Sequence, residues 1–126
     1  MKNQELSACE TNIMKAIWDA EKDISIPDLI EVLRTRFDKD YARTTVVTFL
    51  MKMENKGFVS TYRVGKLSYA HAEKSEADYI AELAERETDF WFGGRASAYL
   101  TSLFRMKPLT KQEADAIRRL INELDD

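Results

Sequence analysis

A chain of 126 residues that is 44% hydrophobic and 33% charged can build one compact domain with an appendage, and is too apolar to be intrinsically disordered. No apolar run approaches the roughly 18 residues of a membrane span, no apolar stretch follows Lys2 as a secretory leader requires, and the lone Cys9 excludes an internal disulfide or a cysteine-based metal cluster within one chain. The net charge of -3 is unevenly divided: residues 1–74 hold 12 cations and 11 anions, residues 75–126 hold 7 and 11, so only the first part suits a polyanion. The expected protein is cytoplasmic, without membrane insertion.

Ser7 and Glu10 have the spacing of a capping box, and Ile13, Met14, Ile17 and Trp18 follow at helical intervals. They predict a first helix from Ala8 to Glu21, with Cys9 as a small packed residue. Ile24-Ser25-Ile26 is short and β-branched, a candidate third strand for a hairpin further on. Ser25, Pro27 and Asp28 mark a second helix start, whose buried stripe is Leu29, Ile30, Leu33 and Phe37. The polar link Asp38-Lys39-Asp40 leads into the third helix.

In that helix Val46, Phe49, Leu50 and Met53 share one stripe, which must face a core. The opposite face carries Thr44, Thr48, Met51 and Asn55, with Val47 and Lys52 on its shoulders. So few charges, beside two apolar side chains, suggest a second surface that this face meets. Gly57 closes the helix with Lys56 in its last turn. Phe58, Val59, Thr61 and Tyr62 are β-formers, Arg63-Val64-Gly65-Lys66 is a basic turn, and Leu67 to Ala72 returns. Between Tyr41 and His71 stand five cations (Arg43, Lys52, Lys56, Arg63, Lys66) and one anion, Glu54. A cationic helix beside a cationic hairpin is the footprint of a duplex DNA binder, with the order helix, strand, helix, helix, strand, strand of a winged helix-turn-helix. Arg43, Thr44, Thr45, Thr48 and Lys52 then face phosphates and base edges, while Arg63 and Lys66 at the wing tip meet phosphate. The plainer reading of the same residues is a solvated helix face.

Past the wing, Ser75 and Asp78 suggest the cap of a helix from Glu76 to Phe92 that presents Tyr79, Ile80, Leu83, Phe90 and Trp91. Gly93-Gly94 breaks it. A shorter helix, Ala96 to Met106, carries Tyr99, Leu100, Leu103 and Phe104 before Pro108. Thr110 and Glu113 cap a last helix with Ala114, Ile117, Leu120, Ile121 and Leu124 on one stripe. A tail of about 50 residues buries too little alone to offset its conformational entropy, and a second copy is the natural remedy. Residues 75–126 are therefore expected to form a helical homodimerisation domain through Tyr79, Leu83, Phe90, Trp91, Tyr99, Leu103, Ile117, Leu120, Ile121 and Leu124. Residues 1–74 form the winged-helix DNA-binding domain.

With those residues in view the chain resembles the BlaI/MecI/CopY family of bacterial repressors, the penicillinase repressors, over nearly its whole length. The resemblance is carried by Leu6-Ser7 and Glu10 before Ile13-Met14 and Ile17-Trp18, by Thr45-Val46 with Thr48, and by Lys56-Gly57-Phe58. Further along it is carried by Tyr69, by Gly93-Gly94, and by Leu109-Thr110 with Glu113. It implies a dimeric winged-helix repressor on a palindromic operator of the TACA/TGTA kind. It also implies genes for β-lactam resistance, copper handling or a membrane metallopeptidase, and in the first class release when that peptidase cuts the C-terminal region. Three departures stand out. Val47 replaces an Arg common in the third helix, leaving Val47 and Met51 to pack on thymine methyls. No C-x-C pair ends the chain, so a soft-metal switch of the copper kind is not expected. The scissile Asn-Phe pair of staphylococcal members aligns near Thr101-Ser102-Leu103 and is not preserved.

His71, the sole histidine, reads as structural or exposed, because no cysteine or second histidine completes a metal site. Phe90-Trp91-Phe92 reads as dimer packing ahead of a ligand pocket. Glu85, Glu87 and Asp89, like Asp125-Asp126, read as solvated acids. Nothing pairs a nucleophile with a base or supplies a phosphate loop, so no enzyme, metal or cofactor is expected. The expectation is a DNA-binding repressor; the alternative is a winged-helix protein-interaction module without sequence-specific DNA binding.

Overall fold

The computed structural model describes residues 5–125, so the amino-terminal Met1 to Gln4 and the carboxy-terminal Asp126 lie outside the described residues. The elements run α1 (Ala8–Asp19), β1 (Ile24–Ser25), α2 (Ile26–Arg36), α3 (Arg43–Asn55), β2 (Val59–Val64), β3 (Leu67–Ala72), α4 (Glu76–Phe92), α5 (Ala96–Met106) and α6 (Lys111–Asp125). The strands make one antiparallel sheet in the order β1-β3-β2, with Ile24 opposite Ala70 and Val59 opposite Ala72. This is a winged helix followed by C-terminal helices. Among the described residues no helix is long and apolar enough to cross a membrane.

Each helix start has a local cause. Ser7 accepts from the Glu10 amide while the Glu10 carboxylate accepts from the Ser7 amide, a complete capping box. Ser25 ends β1 and caps α2, its hydroxyl accepting from the Asp28 amide. Ser75 and Thr110 accept in the same way from the amides of Asp78 and Glu113. The end of α3 is a Schellman turn: the Phe58 amide donates to the Met53 carbonyl and the Gly57 amide to that of Glu54, with Gly57 at φ +85°. A side chain at position 57 would carry the left-handed backbone penalty that glycine escapes.

Two compact units divide the chain, one ending at Ile80 and the other beginning at Ala81. The core of the first is built by Ile13, Met14 and Ile17 of α1, Leu29 and Leu33 of α2, Val46, Leu50 and Met53 of α3, and Phe58, Val59 and Ala70 of the hairpin, none more than 2% exposed. Ile30, Phe37 and Phe49, expected within the buried stripes, are only half-buried at their edges. Phe49 leans on Tyr41 at 5.8 Å between ring centroids, and Phe37 lies beneath the Arg36 guanidinium.

The first unit reaches past the expected 74/75 junction because the first turn of α4 packs on it. Lys15 pairs with Glu76, and the Trp18 indole donates to the Lys74 carbonyl. Tyr79, expected on a dimer face, is 7% exposed between Trp18 and Phe58, at 5.7 and 5.3 Å between centroids. Its ring completes the winged-helix core and is withdrawn from the dimerisation set. In the second unit no residue of α5 or α6 is buried. Phe90, Trp91, Leu120 and Leu124 are exposed, while Phe92 stacks on Tyr99 at 5.3 Å.

A charged contact reaches into the first unit. Lys56, at the close of α3, donates to the Glu10 carboxylate at 2.7 Å and to the Glu5 carbonyl at 2.8 Å, and Glu10 is 2% exposed. Burial pushes the Glu10 carboxyl up, but the Lys56 and Ser7 hydrogen bonds outweigh it and hold its pKa below the ordinary value. The stabilisation is present above the unfolded carboxyl pKa and is lost as pH falls through the folded one. Replacing Lys56 by Met leaves a buried carboxylate short of its cation. The expected cost is about 1–3 kcal/mol in urea denaturation at neutral pH, narrowing as the solution is acidified. An unchanged midpoint at neutral pH would contradict this role.

Candidate nucleic-acid interface

Because Val46, Leu50 and Met53 are buried, the other side of α3 is turned out. Arg43, Thr44, Thr48, Met51 and Lys52 are exposed, Thr45 and Val47 half-buried. The helix starts at Ala42, which makes no side-chain cap, and its first turn contains no acid. Its amides and the positive end of its dipole are therefore not neutralised by a side chain, and Arg43 adds a cation beside them. The exposed Thr48 hydroxyl donates to the Thr44 carbonyl at 2.9 Å and retains its acceptor capacity.

The hairpin is longer and tighter than expected. Pairing continues to Val64 opposite Leu67, so Arg63 and Val64 belong to a strand and the turn is only Gly65-Lys66. Gly65 has φ +62°, the conformation that a two-residue turn with glycine first requires. Alternation then sorts the side chains. Thr61, Arg63 and Ser68 share the side that meets α3, where Thr61 donates to Glu54 at 3.2 Å, and Tyr62 stacks on its cross-strand partner Tyr69 at 5.5 Å. Arg63 thus stands on the inner face of the wing and not at its tip, its Nε donating to the Gly65 carbonyl at 3.0 Å.

Between α3 and the wing lies an open groove of about 280 Å³ with Ile26, Val47, Leu50 and Met51 as its apolar lining and Arg43 and Arg63 as its cations. Of the five cations counted between Tyr41 and His71, Lys56 is committed to Glu10. Among the described residues Arg43, Lys52, Arg63 and Lys66 make no ion pair. Four positive groups on the helix and wing are thus available to phosphate.

Behind the wing Asp23 accepts from the Tyr62 hydroxyl at 2.6 Å and from His71 Nδ1 at 2.7 Å. The two bonds, Tyr62 first, hold the Asp23 carboxyl below its usual range, and the same contacts raise Tyr62 and His71. Sequence reasoning placed His71 as structural or exposed and missed this clasp. Its partners lie 39 and 48 residues from Asp23, and no local pattern signals the pairing. It also missed Ile26, Thr61, Tyr62 and Ser68 as groove lining, which only the α3-to-wing packing brings together.

A three-helix head with a paired, basic wing beside an outward helix defines the winged-helix class of nucleic-acid binders. The family described as penicillinase repressor matches residues 6–123, and the chain belongs to that family of transcriptional repressors, which are regulators and not enzymes. It is similar to the methicillin resistance regulatory protein MecI of Staphylococcus aureus (strain N315) and to MecI of Staphylococcus epidermidis. Each is 21% identical over 122 residues, 97% of either chain.

The clasp predicts a pH signature. With its folded pKa raised, His71 stabilises the wing fully below the unfolded value of about 6.5, and that contribution is lost as pH rises through the folded value. In a carbon-detected or proton NMR titration the His71 ring should titrate above about 6.5, and Asp23→Asn should return it to the ordinary range. A midpoint identical in both proteins would mean the contact does not persist in solution.

Proposed function

We propose that the chain represses transcription in the cytoplasm as a homodimer, each head placing the outward face of α3 in the major groove of one half of a palindromic operator. The observation that carries this reading is the coincidence, in the first unit, of an uncapped helix start with Arg43 and Arg63 lining one groove and Lys52 and Lys66 on the same helix and wing, none of the four in an ion pair among the described residues. Thr44, Thr45 and Thr48 then meet phosphates and base edges, and Lys52 and Lys66 meet the backbone. The MecI relatives, by name regulators of methicillin resistance, support a regulatory role.

Within residues 75–126, dimerisation is assigned to the part beyond the first turn of α4, which packs on the head. Exposure of Phe90, Trp91, Leu103, Leu120, Ile121 and Leu124 supports it, since burying a large apolar side chain contributes roughly 1.5–3 kcal/mol. Leu83, Tyr99 and Ile117 belong to the same set. Release follows proteolysis or another inducing signal; the form the family suggests is a cut by a membrane metallopeptidase, whose scissile pair aligns near Thr101 to Leu103 and is not preserved there. Those residues lie inside α5, so such a cut needs that helix to open first.

Gel-shift titration of duplex pools at several salt concentrations tests the proposal. Specific binding should weaken steeply with salt, by about one decade of affinity per decade of salt for each phosphate neutralised. Thr48→Glu, which sets a carboxylate against phosphate, should abolish the shift and leave the thermal melt unchanged. Weak, sequence-blind binding would instead favour a winged-helix module used for protein contacts. Removal of the chain from Thr110 onward should lower sedimentation mass toward a monomer and weaken DNA binding; an intact dimer would remove α6 from the interface.

A further inference from the structure

The outward face of α3 holds an apolar pair that the charge argument leaves unexplained. Met51 is 63% exposed and Val47 half-buried, one helical turn apart, and both line the groove that Arg43 and Arg63 share. We infer that Val47 and Met51 are the base-reading patch of this helix and take the 5-methyl group of thymine in each half-site, an inference that rests on α3 being the DNA-facing helix.

Charge and chemistry together select this occupant. The groove lining contains two guanidinium groups and no carboxylate, so what enters is anionic; its floor of Ile26, Val47, Leu50 and Met51 is aliphatic, so what enters also brings an apolar group. The one acid of α3, Glu54, is drawn toward Thr61 of the wing. A sugar-phosphate strand carrying thymine meets both demands, because thymine alone among the DNA bases offers a methyl group in the major groove. Of the side chains that read guanine or adenine by paired hydrogen bonds, Arg43 stands in the first turn of the helix and Lys52 and Asn55 towards its end. Between Arg43 and Lys52 the outward side chains are threonines, Val47 and Met51, so discrimination along the middle of the helix comes from methyl contact and hydroxyl contact. An unbranched thioether suits that task, since it adjusts to the position of the methyl group at little cost.

The test uses the full chain. Duplexes bound from a random pool are selected first, and each thymine of the enriched half-site is then replaced by deoxyuridine, which removes the methyl group alone. One or two replacements per half-site should weaken binding roughly three- to tenfold, and the rest should have no effect. In Met51→Ala, an exposed substitution whose thermal melt reports an intact fold, the penalty at one of those positions should disappear. Specific binding that tolerates uracil at every thymine, or that loses the same factor with and without Met51, would overturn the assignment of this patch while leaving α3 as the DNA helix. A pool that shows no enrichment would remove the DNA reading itself, and this inference with it.

Discussion

The rotation of α3 about its own axis is the constraint on which the rest depends. Val46, Leu50 and Met53 are buried to within 1% of full coverage, and a helix held by one stripe has no freedom to present any face but the opposite one. Its far end is fixed twice more, by the Schellman turn at Gly57 and by Lys56 reaching the buried Glu10 of α1. The outward residues are thus set by interior packing, and the proposed binding surface is presented without a loop having to order.

The same geometry divides the positive charge into two kinds. Lys56 is spent on cohesion, inside the head, where its partner is almost wholly shielded from water. Arg43, Lys52, Arg63 and Lys66 remain outside that network, and the groove between helix and wing has no acid in its lining. A protein with a net charge of -3 therefore keeps four cations on the helix and wing of its first unit, and the proposed function has these, and not the acidic C-terminal region, draw in the polyanion. Behind the wing the Asp23 clasp ties Tyr62 and His71 to the turn before β1, so the sheet side of the groove is also braced.

Much of this was legible in the residues. Periodicity placed the buried stripe of α3, the capping residues Ser7, Ser25, Ser75 and Thr110 marked the helix starts, and Ile24-Ser25 entered the sheet as the third strand. What escaped was non-local. Strand pairing ran to the last residue before Gly65 and carried Arg63 from the tip to the inner face, which depends on turn geometry and on the α3 contact. Tyr79 reads as one more apolar position on an amphipathic helix, yet Trp18 and Phe58 claim it for the head. Nothing local marks Lys56 as a core cation, since its partner Glu10 is 46 residues away and already explained by its capping box.

The C-terminal helices present large apolar side chains with no cover within the second unit, and the proposed pairing of two chains removes that surface from water while spacing two heads along one duplex. The most direct measurement is a hydroxyl-radical footprint of the full chain on its selected site. The account predicts two protected patches related by a two-fold axis, their centres separated by about one helical turn of roughly 34 Å or a multiple of it. A single unsymmetrical patch, or uniform cleavage at low salt, would contradict it.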